Sequence, residues 1–142
     1  MIGVRIVAGR FRRRKLLSNP GLITRPITDR VKEILFERLT GEFDDARVAD
    51  VFAGTGTLGL EALSRGARSV VFVESDRKAH EILKQNVAHL QVESETLCWR
   101  ADAMRCSFRP KGLAEFLPYD VIFFDPPYRL VPFIRPGGSL YK

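Results

Sequence analysis

The fold is decided by the stretch Arg47-Val-Ala-Asp50-Val-Phe-Ala-Gly54-Thr-Gly56-Thr-Leu-Gly59-Leu-Glu-Ala-Leu-Ser-Arg65. Residues 47–52 read as a buried strand. Residues 57–65 read as a helix, with Leu58, Leu60, Ala62 and Leu63 apolar and Gly66 as its stop. Between them the glycines allow a tight turn and let a ligand lie against bare backbone. A strand, a glycine turn and a helix in that order open a nucleotide-binding βαβ unit.

Downstream the alternation continues. Residues 69–74 form a second, Val-rich strand. Residues 76–90 form a helix with Ala79, Ile82, Leu83, Val87 and Leu90 on one face. Residues 97–101 are a weaker third strand, and residues 119–124 are a fourth, so apolar that a central place in a parallel sheet is expected. Upstream, residues 19–27 are a loop punctuated by Pro20-Gly21 and Arg25-Pro26. Thr28-Asp29 then caps a helix whose apolar face is Val31, Ile34, Leu35 and Leu39, ended by Gly41. Ile2, Val4 and Ile6 alternate before Gly9, and Leu16-Leu17 follows an Arg cluster, the pattern of a short hairpin with arginines at its turn. Strands alternating with helices imply an α/β fold with a Rossmann-like parallel sheet. The expected organisation is a basic hairpin and loop over residues 1–27 and a sheet domain over residues 28–142.

Composition supports one globular unit. The 142 residues are 45% hydrophobic and 28% charged, with two cysteines. That mixture excludes a disordered chain, a collagen-like fibre and a disulfide scaffold. No apolar run is long enough to span a bilayer, and no secretory leader follows the first charges, so a cytoplasmic protein with reduced Cys98 and Cys106 is expected. Those cysteines and His80 and His89 lack compact ligand spacing, so no metal site is expected.

The net charge of +6 is unevenly placed. Residues 1–32 hold nine basic residues (Arg5, Arg10, Arg12, Arg13, Arg14, Lys15, Arg25, Arg30 and Lys32) against Asp29, a balance of +8. The remaining 110 residues balance to −2. A localised basic arm is the footprint of a polyanion binder, here nucleic acid.

Two further strand ends carry chemistry. Glu74 lies 20 residues after Gly54 at the end of the second strand, where a carboxylate can accept both hydroxyls of a ribose. NAD, FAD and S-adenosylmethionine all share that geometry. Asp125-Pro126-Pro127-Tyr128 follows the fourth strand and separates them. An Asp carboxylate beside a proline carbonyl is a pair of acceptors with no donor, suited to an exocyclic –NH2, and Tyr128 offers a stacking face.

Asp-Pro-Pro-Tyr at this place resembles the signature of amino-methyltransferases. Taken with Arg5-Ile-Val-Ala-Gly-Arg-Phe-Arg, Thr24-Arg-Pro-Ile-Thr-Asp-Arg-Val-Lys-Glu and the glycine stretch from Asp50, the chain is similar to the bacterial 16S rRNA guanine(966)-N2 methyltransferase family from about residue 4 to residue 129. The resemblance implies a class I methyltransferase that uses S-adenosylmethionine on small-subunit ribosomal RNA. It places Asp50, Gly54 and Gly56 in the cofactor loop, Glu74 on the ribose, and Asp102 and Ala103 near the adenine. Asp125, Pro126, Pro127 and Tyr128 would hold the guanine amine and base. The loop from Thr24 and Arg25 to Arg30 would border cofactor and target, and Arg5, Arg10, Arg12, Arg13, Arg14 and Lys15 would meet the RNA. Ile27 stands where that family often has Thr. The family's sheet has seven strands. Only the first four are expected here, which would leave the fourth at an open edge.

Overall fold

The computed structural model describes residues 2–18, 29–105 and 114–125. The chain begins with an antiparallel hairpin of β1 (Ile2–Arg5) and β2 (Lys15–Leu17), followed by helix α1 (Asp29–Arg38). β3 (Arg47–Val51), α2 (Thr57–Ser64), β4 (Ser69–Val73), α3 (Arg77–Leu90) and β5 (Thr96–Trp99) follow, with a short 3-10 turn at Glu93–Glu95. A second such turn at Ala114–Phe116 precedes β6 (Val121–Phe124). The four later strands form one parallel sheet in the order β5-β4-β3-β6.

β4 is buried along its whole length. A strand covered on both faces has no wet side, which is why Val70-Val-Phe-Val73 reads as continuous apolar sequence. Val70 and Phe72 pack with Leu60, Leu63, Leu83 and Val87 in the core that includes α2 and α3. Val71 and Val73 pack with Ala49, Val51, Ala103 and Phe116 in a second cluster. α3 starts where Asp76 accepts the Ala79 N–H at 2.9 Å, so the cap residue lies just outside the helix. The hairpin contributes Ile6 and Leu16 to the larger core.

Two expectations need correction. The fourth strand, β6, does not take the central place its apolar run suggested; it ends the described sheet beside β3, the edge position that a four-stranded sheet was expected to give it, with Ile122 59% and Phe124 44% exposed. Its other face is covered, with Phe123 buried against the Phe36 and Phe43 rings and Val121 packed on the same core. The buried face of α1 also differs. Leu35 and Leu39 pack against the core, but Val31 and Ile34 are exposed, while Lys32 is 0% exposed. Hydrophobic periodicity could not find Lys32, because its burial depends on an acid from another element. The Lys32 Nζ lies 3.0 Å from Glu61 Oε1 and donates to the Arg5 carbonyl at 2.7 Å. Smaller shifts are at element ends: Phe52 leaves β3 at φ 60, and the third strand begins at Thr96 rather than residue 97.

Candidate functional site

Parallel strands bring their carboxyl ends to one edge. Val51 pairs with Val73 and with Phe124, and Val73 pairs with Trp99. The residues that follow these pairs leave the sheet side by side: Phe52 onward from β3, Glu74 from β4, Arg100 to Asp102 from β5 and Asp125 from β6. Such an edge, with the glycine turn over it, is where open α/β sheets take ligands.

The three glycines of the turn do different things. Gly59 sits where a Cβ would strike the Phe72 ring and Val70, so its absent side chain lets α2 lie against β4. Gly56, at φ 94, faces Leu83 in the same way. Gly54, at φ 61, has nothing within 4 Å of where a Cβ would point. Bare backbone therefore meets open space at Gly54, whereas Gly56 and Gly59 serve packing.

Carboxylates brace this turn. Asp50 is buried in β3 and accepts the Gly59 N–H at 2.9 Å, tying the strand to the helix. Burial pushes its carboxyl from 3.8 up to about 8, opposed by the Gly59 hydrogen bond and helped by the charges of Glu74 and Asp125. That coupling puts the three acids in one electrostatic neighbourhood. Glu74 accepts the Gly54 N–H at 2.7 Å with one oxygen and the Asp76 N–H at 2.9 Å with the other. Each oxygen keeps a second lone pair for a ligand. Asp125 is exposed at the mouth of the edge.

The remaining expected site residues divide. Asp102 is exposed and accepts the Met104 N–H at 2.9 Å, while Ala103 is buried in the second core cluster. Arg5, Arg12, Arg13, Arg14 and Lys15 are exposed on the hairpin, and Arg30 is exposed on α1. Arg10 is paired with Glu95 at 2.8 Å. Thr24, Arg25, Pro126, Pro127, Tyr128 and Cys106 lie outside the described residues. Cys98 is a free thiol whose burial pushes it up to about 11. Among the described residues no group of three His, Cys, Asp or Glu is placed to hold a metal ion, and no helix is long and apolar enough to cross a membrane.

Three supporting residues escape a reading of sequence alone. Asn86 Nδ2 donates to the Thr55 and Leu17 carbonyls at 2.9 and 3.0 Å, pinning the glycine turn to the hairpin. The only sequence signal is a polar residue set within the apolar face of α3. Phe52 turns out of β3 at positive φ and meets Phe124 edge-on at 5.4 Å, covering part of the site edge. Glu61 accepts the N–H groups of Val7 and Ala8 at 2.9 and 3.1 Å, as well as pairing with Lys32 and Arg65. Its signal is an acid in an otherwise apolar helix.

The family model described as Conserved hypothetical protein 95 matches residues 4–137. The chain belongs to that family. Among its relatives is the ribosomal RNA small subunit methyltransferase D of Escherichia coli, 43% identical over 129 residues, covering 89% of this chain. The putative rRNA methyltransferase YlbH of Bacillus subtilis is 38% identical over 130 residues, again covering 89% of this chain. The chain spans 61% of the length of the first and 67% of the second. The solved structure of the putative methyltransferase yhhF from Escherichia coli superposes with a TM-score of 0.72 at 34% identity, covering 95% of this chain and 73% of that one. The fold of this member of the Conserved hypothetical protein 95 family is thus the Rossmann-like fold of methyltransferases.

Proposed function

We propose that the protein transfers a methyl group from S-adenosylmethionine to the exocyclic N2 amine of a guanine in small-subunit ribosomal RNA. The observation that carries this reading is that Glu74 and Asp125 leave the strands on either side of β3 at one sheet edge, beside the open backbone of Gly54, whose N–H Glu74 accepts at 2.7 Å. The Glu74 and Asp125 carboxylates suit a cofactor that bears cationic ammonium and sulfonium groups, while Asp50, buried and pushed up to about 8, braces the turn beneath them. These two carboxylates would repel the pyrophosphate of a dinucleotide, so an NAD-dependent oxidoreductase fits the edge poorly. The kinship to ribosomal RNA methyltransferases supports the same choice.

In this reading the residues present fit the cofactor. Gly54 offers backbone for it to lie on, Glu74 offers free lone pairs to its ribose, and Asp102 stands at the neighbouring strand end. When bound, S-adenosylmethionine supplies an electrophilic methyl group on a good leaving group. The protein's own work is positioning. A guanine amine has its lone pair delocalised into the ring. Two acceptors, the Asp125 carboxylate and the Pro126 carbonyl, draw its two N–H bonds to one side and localise that pair on nitrogen. Asp125 then takes up the proton that leaves the amine. Tyr128 stacks on the base, which must be unpaired or flipped to enter. The basic hairpin holds RNA phosphates, with Thr24, Arg25 and Arg30 bordering the pocket. The cytoplasm is the compartment that this substrate implies.

The test is incorporation of labelled methyl groups into small-subunit RNA, as naked RNA and as assembled subunit. Wild-type chain is expected to label guanine N2. Asp125→Ala should lose turnover by at least two orders of magnitude while keeping its affinity for the cofactor. Glu74→Gln should weaken cofactor binding first. A folded, cofactor-binding chain that labels neither RNA, or an Asp125→Ala variant with near-normal turnover, overturns the reading.

A further inference from the structure

The arginine-bearing turn of the hairpin does not lie at the methyl-transfer edge. The Arg10 N–H donates to the Ser64 carbonyl at 2.9 Å, and the Phe11 N–H donates to Ser64 Oγ at 3.0 Å. Ser64 Oγ in turn donates to the Ala8 carbonyl at 2.6 Å. Ser64 is the last residue of α2. The Arg14 guanidinium donates to the His89 carbonyl at 3.0 Å, in the last turn of α3, and Arg10 pairs with Glu95 just before β5 begins. All three anchors belong to the amino edge of the sheet.

Both helices have their other ends at the site. α2 starts at the glycine turn, and α3 is capped by Asp76, whose N–H is held by Glu74. At 1.5 Å per residue, the 8 residues of α2 and the 14 of α3 span about 12 and about 21 Å. The turn is thus separated from the site edge by the length of a helix. The hairpin bridges that distance, because Leu17 at the end of β2 is bonded to Asn86, which also holds Thr55 of the glycine turn.

Arg5 and Lys15 face each other across the two strands, so basic residues stand on both. Arg13 adopts φ 72, a left-handed conformation that favours glycine, in a turn closed by its N–H donating to the Ile6 carbonyl at 2.9 Å. Beside the turn lies an open depression of about 370 Å³ lined by Gly9, Arg10, Ser64, Arg65, Gly66 and Glu95. Arg12 and Arg13 are exposed in the same turn as Arg10, with no side-chain ion pair among the described residues.

We propose that the hairpin is a phosphate track with its far end at the amino edge of the sheet, so that the protein grips RNA backbone a helix-length away from the base it modifies. This rests on the methyltransferase reading above and specifies its substrate: an RNA that reaches well beyond the target nucleotide. At about 3.4 Å per stacked nucleotide, the gap of about 12–21 Å corresponds to four to six nucleotides. A structured flank such as a stem fulfils this, whereas a short single strand does not.

The experiment compares two probes, a four-nucleotide RNA containing guanine and the same four nucleotides as the loop of a stem of about ten base pairs. Binding is measured against salt for wild-type chain and for the double variant Arg12→Ala/Arg13→Gly. Glycine suits φ 72, so a melting temperature at or above wild type shows that the fold is intact. For the stem-loop, loss of two phosphate contacts should flatten the log–log salt slope by about 1.4–1.8. For the short RNA the slope should not change. An equal change with both probes would place the arginines at the site edge and overturn the proposal. No change with either would make the turn a solvated surface and overturn it too. Methyl transfer is scored separately, so a catalytic failure leaves these slopes readable.

Discussion

Replacing Lys32 with Met tests how the hairpin and α1 are held to the sheet domain. Lys32 and Glu61 are both 0% exposed, with Nζ and Oε1 3.0 Å apart. Glu61 is the hub, since it also takes the Val7 and Ala8 N–H groups and Arg65 Nε. The two partners are therefore unequal. Lys32→Met leaves Glu61 with three donors, so the cost falls at or below the lower end of the range for breaking a buried pair, about 2–3 kcal/mol. Glu61→Leu strands the Lys32 ammonium with one carbonyl and removes the acceptor of two backbone N–H groups, for about 4–5 kcal/mol or more. Against a total stability of about 5–15 kcal/mol, the second change threatens the fold and the first does not. The double variant should recover about 1–3 kcal/mol relative to the sum of the singles. Urea unfolding followed by far-UV circular dichroism, with the slope m checked for constancy, reads all four corners of this cycle. A Lys32→Met variant within about 0.5 kcal/mol of wild type, or a coupling below about 0.5 kcal/mol, would refute the reasoning.

Gly54→Ala and Gly59→Ala should fail differently. Gly59→Ala drives a methyl group into Phe72 and Val70 and should cost about 1–3 kcal/mol in urea unfolding, with cofactor affinity reduced as α2 shifts. Gly54→Ala meets no atom, so it should cost only about 1 kcal/mol of left-handed strain while its methyl group lowers cofactor affinity in a calorimetric titration. Asp50 should leave a mark on stability against pH. Its carboxyl titrates at about 8 in the folded chain and at 3.8 ordinarily, so the folded state binds the extra proton between those values. Its contribution is full below about pH 4, declines as pH rises and is gone above about pH 8; Asp50→Asn should flatten that decline in urea midpoints across the range. Phe124→Ala removes the edge-on partner of Phe52 at a 44% exposed position, so its cost should stay near 1 kcal/mol by thermal unfolding.

The order of elements and the carboxyl-edge placement of Asp50, Glu74 and Asp125 were legible in the sequence. Strand periodicity, a glycine turn and right-handed crossovers leave a parallel sheet few alternatives, and the last residue of each strand must then lie at one edge. The hairpin was legible for a similar reason, since alternation and a glycine are local signals. What depends on partners from distant parts of the chain was not. Lys32 reads as a surface cation until Glu61 meets it 29 residues away. Asn86 reads as a break in an apolar face until it holds Thr55 and Leu17 together. The glycines look equivalent in sequence, and only the packing of Phe72, Val70 and Leu83 separates the two that admit a helix from the one that faces open space. The arginines at positions 12 to 14 announced a polyanion by charge alone. That their turn is bolted to Ser64 and His89, at the opposite edge from Glu74 and Asp125, is a consequence of tertiary contacts, because charge composition carries no information about where a loop is anchored.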